Sequence, residues 1–173
     1  MNDAVRAVVA LGSNLDEPER QVRTAFDEIA ALPHTRLLAK SRLYNTEPVG
    51  YRDQPPFVNA CALVETSLEP RALLDRLLAI EQRHGRVREI RNGPRTLDLD
   101  IVVYADKVVD EPGLMIPHPR AHERAFVLEP LVEVWPEAVI AGKGVAKDLL
   151  SKVIPAQAGI QSLDSRLHGN DSE

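Results

Sequence analysis

The order in which apolar spacing switches between the strand period and the helix period constrains this chain more than any other feature. Residues 5–11 are short and β-branched, and Gly12-Ser13-Asn14 follows as a turn, so a strand is predicted there. Val22, Ala25, Phe26 and Ile29 share one face of a helix over 17–32, stopped by Pro33. Asp16 and Glu19 with Pro18 between them have the form of a capping box. Leu37, Ala39, Ser41 and Leu43 alternate with polar neighbours, a half-buried strand over 35–45. Proline and glycine make 46–56 a loop. A strand over 57–66 puts Val58, Ala60, Ala62 and Val64 on one face, and Leu73, Leu74, Leu77, Leu78 and Glu81 place a helix at 69–83, ended by Gly85. Leu97 to Tyr104 alternates again. The order β-α-β-β-α-β specifies an α+β fold with a ferredoxin-like core, an antiparallel sheet carrying two helices on one face. Short helices around Pro130 in 119–135 and a last helix at 145–152 are C-terminal helical additions.

The 173 residues suit one domain, set at 1–152. The segment 153–173 is rich in Gly, Ser, Asn, Asp and Gln and is expected to be a disordered tail. Its start, 154–160, resembles translated intergenic repeat DNA. No apolar run is long enough to span a bilayer, the N-terminus lacks the pattern of a secretory signal, and Cys61 is the sole cysteine, so the chain is expected in the cytoplasm without disulfides or a membrane.

A net charge of −5 argues against nucleic acid as partner. Only five cations are lysines, and five of the sixteen arginines fall in 83–95: Arg83, Arg86, Arg88, Arg91 and Arg95. Guanidinium forks suit phosphate oxygens. A small anionic ligand and a solvated charged loop both account for the run.

Asp98-Leu99-Asp100 on a strand sends both carboxylates to one face, with Leu97, Leu99, Ile101 and Val103 on the other. Paired carboxylates repel unless a cation sits between them, and magnesium takes one or two such ligands plus phosphates. Two solvent-facing acids are the bland alternative. The adjacent arginines favour phosphoryl transfer, since metal ligands and phosphate cations are its two halves. A P-loop and a dinucleotide fingerprint are both absent. Gly12-Ser13-Asn14 is a phosphate nest or a plain turn. His118, between two prolines, is a phosphate contact or an inert loop residue, and Arg124 invites the same pair of readings. Phe57 and Asn59 share a strand face, where a ring and a carboxamide can hold a flat heterocycle or simply belong to the core. Another Asp-x-Asp transferase would leave Phe57 and Asn59 without a task. An RNA-binding module would need a basic, aromatic sheet.

Gly12-Ser13-Asn14, Tyr44-x-Thr46-x-Pro48-x-Gly50, Gln54-Pro55-x-Phe57-x-Asn59, Gly85-Arg86-x-Arg88, the run Gly93-Pro94-Arg95-Thr96-Leu97-Asp98-Leu99-Asp100-Ile101, Pro117-His118-Pro119 and Arg124-x-Phe126 together resemble the hydroxymethyl-dihydropterin pyrophosphokinases over roughly residues 5–140. The resemblance implies a folate-pathway transferase, a monomer acting on small molecules, that moves pyrophosphate from ATP to a reduced hydroxymethylpterin and releases AMP. It implies that Asp98 and Asp100 bind two Mg²⁺ ions, one of which also orients the pterin hydroxyl. Arg86, Arg88 and Arg95 would meet phosphate oxygens, and Arg86 and Arg95 would join the two aspartates as catalytic residues. His118 and Arg124 fall on the ATP side, with Leu74, Glu81 and Ile101 lining the nucleotide pocket. Thr46, Val49, Phe57, Asn59 and Phe126 form the pterin slot. The loops 46–56 and 84–95 would close over the substrates. Phe57 stands where tyrosine is common, Asn92 where a tryptophan is often found, and Leu78 where glutamine is frequent.

Overall fold

The computed structural model describes residues 3–46, 55–85, 96–154 and 161–162. Val49, Arg86, Arg88, Arg95, Asn92 and most of the two loops expected to close lie outside them. The chain runs β1 (Val5–Ser13), α1 (Pro18–Ala30), β2 (Thr35–Lys40), β3 (Tyr44–Thr46), β4 (Phe57–Thr66), α2 (Pro70–Arg83) and β5 (Asp98–Tyr104). Two hairpins follow, β6 (Val109–Glu111) with β7 (Leu114–Ile116), and β8 (Val139–Ile140) with β9 (Gly144–Val145). Between them lie a 3₁₀ turn (Ala121–Glu123) and α3 (Ala125–Val134); α4 (Ala146–Val153) and β10 (Gln161–Ser162) complete the order. The predicted α+β architecture is present, with β1 at the centre between β4 and β5.

Both faces of the sheet are covered. On one, Val22, Ala25, Phe26 and Ile29 of α1 and Leu73, Leu77 and Ile80 of α2 pack on Ala7, Val9, Leu11, Val58, Ala60, Ala62 and Val64. On the other, Leu128 and Leu131 of α3 and Leu150 of α4 pack on Val8, Cys61, Leu63, Val102 and Val103. Each fully buried Leu, Ile or Phe contributes about 1.5–3 kcal/mol, so both helical layers hold the sheet rigid. The face opposite α1 and α2 is closed along much of its length by the C-terminal helices.

Four local readings differ. The strand expected over 35–45 is two strands, β2 and β3, both pairing with β4 and broken at Ser41–Leu43. At the break, Cys61 N–H donates to Ser41 Oγ (2.9 Å) and Ser41 N–H to the Cys61 carbonyl (2.9 Å). Asp16 and Glu17 take positive φ (52° and 62°), and Glu17 is the N-cap with no side-chain cap bond, so the capping box does not form. Val103 does not share the face of Leu99 and Ile101: the register against β1 shifts between Val8 and Val9, which pair with Val103 and Ile101. This bulge turns Val102 and Val103 both toward α3. The short helices expected over 119–135 are present as the 3₁₀ turn and α3, which runs unbroken through Pro130. The expected unstructured tail also meets an exception, since α4 reaches Val153 and Gln161–Ser162 pairs with Tyr44–Asn45.

Candidate active site

Where α3 begins, the sheet face it covers opens into a cleft. Gly12 on β1 is the register partner of both Asn59 on β4 and Asp98 on β5, so these three form one row across three strands. Ala10 and Asp100 form the next row. Asn59, Gly12, Asp98, Asp100, His118, Arg124 and Phe126 all line the cleft, over a floor that includes Ala10 and Val102. The period-two reading of Asp98 and Asp100 therefore holds: both are half-buried and face the same space.

Asn59 is nearly buried (8% exposed) and donates through Nδ2 to Thr46 Oγ1. Thr46 and Phe57 are register partners one step further out on the β3–β4 ladder. Gly12 is required by this packing, because a Cβ there would lie 3.0 Å from Asn59 Oδ1. With Nδ2 engaged by Thr46, Oδ1 is the acceptor turned toward the cleft side of β1. Phe126, in the first turn of α3, carries the Arg124 guanidinium 5.5 Å from its ring centre.

His118 follows the cis Ile116–Pro117 bond. Its own N–H donates to the Val102 carbonyl (3.0 Å), and its Nδ1 accepts from Arg120 N–H (3.2 Å). That acceptor role leaves the proton of the neutral ring on Nε2. Burial first, then Arg124, holds the His118 pKa below its ordinary value, opposed by Asp98. Burial and Arg120 likewise lower Arg124, opposed by Asp100, Glu123 and Asp98. The two acids and the two bases thus act on each other across one cleft. A depressed histidine stabilises the fold fully above its unfolded pKa, and that contribution is lost as pH falls toward the folded value. His118→Gln will therefore lose less melting temperature between pH 7 and pH 5 than the parent, as measured by calorimetry.

Leu74, Glu81 and Ile101 do not line this cleft. Ile101 is buried in the core beneath α1 and α2, and Leu74, half-buried on α2, packs against that core. Glu81, 2% exposed, accepts the Leu99 backbone N–H at 2.7 Å, so a buried carboxylate caps the outer edge of β5 between the two aspartates.

Gly12-Ser13-Asn14 is neither nest nor simple turn. Ser13 and Asn14 are buried, Ser13 Oγ donates to the Thr96 carbonyl, and Asn14 Nδ2 donates to the Pro55 carbonyl at 2.9 Å. The end of β1 thereby fastens the segment entering β5 and the segment entering β4. Only contacts 41 and 83 residues away reveal this role, so local sequence carried no signal for it.

A profile of the 7,8-dihydro-6-hydroxymethylpterin-pyrophosphokinase (HPPK) family matches residues 8–136. The chain belongs to this family. Among relatives, a Pseudomonas aeruginosa 2-amino-4-hydroxy-6-hydroxymethyldihydropteridine pyrophosphokinase is 52% identical over 132 residues, covering 76% of this chain and 82% of that protein. The Haemophilus influenzae protein of the same description is 42% identical, covering 86% of this chain and 92% of its own. The fold also matches the wild-type Plasmodium falciparum HPPK-DHPS crystal structure with pteroate. That match has a TM-score of 0.69 and 14% identity, and covers 90% of this chain and 43% of that longer one. The HPPK profile spans all of the cleft residues, from Gly12 on β1 to Phe126 on α3.

Proposed function

We propose that this protein transfers the terminal pyrophosphoryl unit of ATP to the hydroxymethyl group of 6-hydroxymethyl-7,8-dihydropterin, giving the pterin diphosphate and AMP, in folate biosynthesis. Family membership supports the reaction, and one observation carries the site: a carboxamide and two carboxylates in adjacent rows of a rigid sheet, opening on one cleft. The pterin ring lies by Asn59, Thr46, Val49, Phe57 and Phe126, its N–H donors toward Asn59 Oδ1 and its face on the aromatic rings. ATP lies on the β5 side, with Arg86, Arg88, Arg95, His118 and Arg124 on its phosphates.

The donor set fits magnesium, which binds through one or two carboxylates and completes its shell with water and phosphate oxygens. Asp98 and Asp100 would hold two Mg²⁺ ions, which neutralise the triphosphate when bound. The pterin hydroxyl oxygen attacks the β-phosphorus in line; the new O–P bond forms as the bond to the α-phosphate bridging oxygen breaks, and AMP departs. Arg86 and Arg95 stabilise charge on the transferring phosphates. His118 donates its Nε2–H to a phosphate oxygen, so His118→Ala will raise the KM for ATP about tenfold, the loss of one charge-assisted bond, with the pterin KM unchanged. Glu81, Leu74 and Ile101 help line the nucleotide pocket on the α2 side of β5, outside the cleft that holds the two aspartates.

The enzyme acts as a cytoplasmic monomer on small molecules, without nucleic acid. No described helix is long and apolar enough to cross a membrane. Residues 1–152 form the catalytic unit, and removing 163–173 will leave the transfer rate and melting temperature at their full-length values. Incubation with ATP, Mg²⁺ and the reduced hydroxymethylpterin tests the reaction. AMP with pterin diphosphate is expected, and ADP or free pyrophosphate as by-product would overturn the assignment.

A further inference from the structure

The cleft's aromatic and carboxamide side depends on a strand of only three residues, β3, joined to β2 through the break at Ser41–Leu43. A break in a ladder leaves backbone groups in need of partners. Here the partner is Glu133, near the C-terminal end of α3 and 91 residues away in sequence. The Arg42 backbone N–H donates to both of its carboxylate oxygens (3.2 and 3.1 Å), and Arg42 Nε donates to Oε2 (3.3 Å). Tyr44, the first residue of β3, donates its hydroxyl to Oε1 at 2.6 Å. Tyr44 is only 4% exposed, and its pKa is raised by burial and by this bond. Tyr44 is in turn the register partner of Asn59, and Thr46 at the other end of β3 holds the Asn59 amide.

We infer that Glu133 is a positioning residue for pterin recognition: its carboxylate gathers the Arg42 amide and the Tyr44 hydroxyl so that β3 resumes in the register that brings Thr46 to Asn59. The same carboxylate belongs to α3, whose first turn supplies Phe126 to the cleft. One side chain thus ties the strand that orients the carboxamide to the helix that presents the ring. Three donors converge on a single acceptor group, two of them fixed by backbone or by burial. Charge-assisted bonds of this kind are short and directional, and small displacements of a reading group cost much in binding. The linkage runs from Glu133 through β3 to the Asn59 side chain rather than through Asp98 or Asp100, so its loss falls first on the pterin. The inference rests on Asn59 reading the pterin.

The test is steady-state kinetics on the full chain, supported by pterin titration in the presence of Mg²⁺ and α,β-methylene-ATP. Glu133→Ala is expected to raise the KM and the Kd for the reduced pterin about tenfold, with the KM for ATP within about twofold of the parent. Glu133→Gln keeps an oxygen acceptor for the Arg42 amide and the Tyr44 hydroxyl, and it should restore most of the pterin affinity. Tyr44→Phe, which deletes one bond and no volume in the core, should give about a threefold rise and decides the matter if Glu133→Ala does not fold. Unchanged pterin affinity in Tyr44→Phe and in folded Glu133→Ala would overturn the inference, as would equal losses for pterin and ATP. Asn59→Ala separates the two levels. If that variant binds pterin normally, the assignment of the slot fails; if it loses pterin while Glu133→Ala does not, only the positioning role fails.

Discussion

Asp98→Ala and Asp100→Ala will each lower Mg²⁺-dependent release of AMP by at least about a thousandfold, at or beyond the upper end of what losing one preorganised electrostatic group costs. The two positions lie two residues apart on β5 and share the cleft with His118 and Arg124. On the proposed reading, removing either would leave a single carboxylate facing the triphosphate, too few protein ligands to fix two ions. The loss will not be one of folding. Neither side chain is part of the two hydrophobic layers, and the repulsion relieved by deleting one of two like charges is set against the lost attraction of Arg124. Melting temperature in metal-free buffer should therefore stay close to the parental value. Asp→Asn at the same sites keeps the shape and should still lose the rate, which separates charge from packing. Near-parental turnover in both alanine variants would remove the metal platform from the account.

Gly12→Val will raise the KM for the pterin by more than about tenfold and lower kcat/KM by about a hundredfold, in line with the cost of misplacing a binding group by an ångström. A Cβ at this position meets Asn59 Oδ1 at 3.0 Å, with the Val58 carbonyl at 4.0 Å. The two methyls of valine extend past that contact into the space between Asn59 and Asp98. Backbone strain is not the cause, because Gly12 sits in regular strand and valine suits a strand. The expected signature is lost pterin binding with only a modest fall in melting temperature, the cost of one overpacked contact. Gly12→Ala should fall between, near fivefold in KM by the same reasoning about small displacements. Titration of the pterin against each variant, beside calorimetry, is the check, and parental affinity in Gly12→Val would show that the slot lies elsewhere.

The parts legible in the sequence were those set by short-range periodicity. Alternation alone put Asp98 and Asp100 on one face and Phe57 and Asn59 on another strand's equivalent face, and the switch of periods along the chain yielded the α+β core. Local reading left His118 and Arg124 open between site and bland alternatives, and resemblance added Phe126; the structure brings all three into the same cleft. Leu74, Glu81 and Ile101, also from the resemblance, do not line it. The rest depended on distant contacts. Val103 changes face because of a bulge against β1, which no pattern within β5 announces. The break at Ser41–Leu43 is held by Cys61 and Glu133, so an alternating run looked continuous. Asp16 and Glu19 have the right types for a capping box, yet the left-handed backbone at Asp16 and Glu17 turns the helix entry another way. Ser13 and Asn14 were visible as residues, but their work as anchors for two later segments was not.

The row of Asn59, Gly12 and Asp98 also fixes a length. Neighbouring strands are spaced by their hydrogen bonds at about 4.8 Å, so two steps across the sheet set roughly 10 Å between the backbone bearing the carboxamide and the backbone bearing the first carboxylate. A ladder buried on both sides works as a yardstick that no loop movement can stretch. Its span suits a flat bicycle joined to its reacting oxygen through one carbon, and a homologue with a longer side arm would carry that oxygen past the mark.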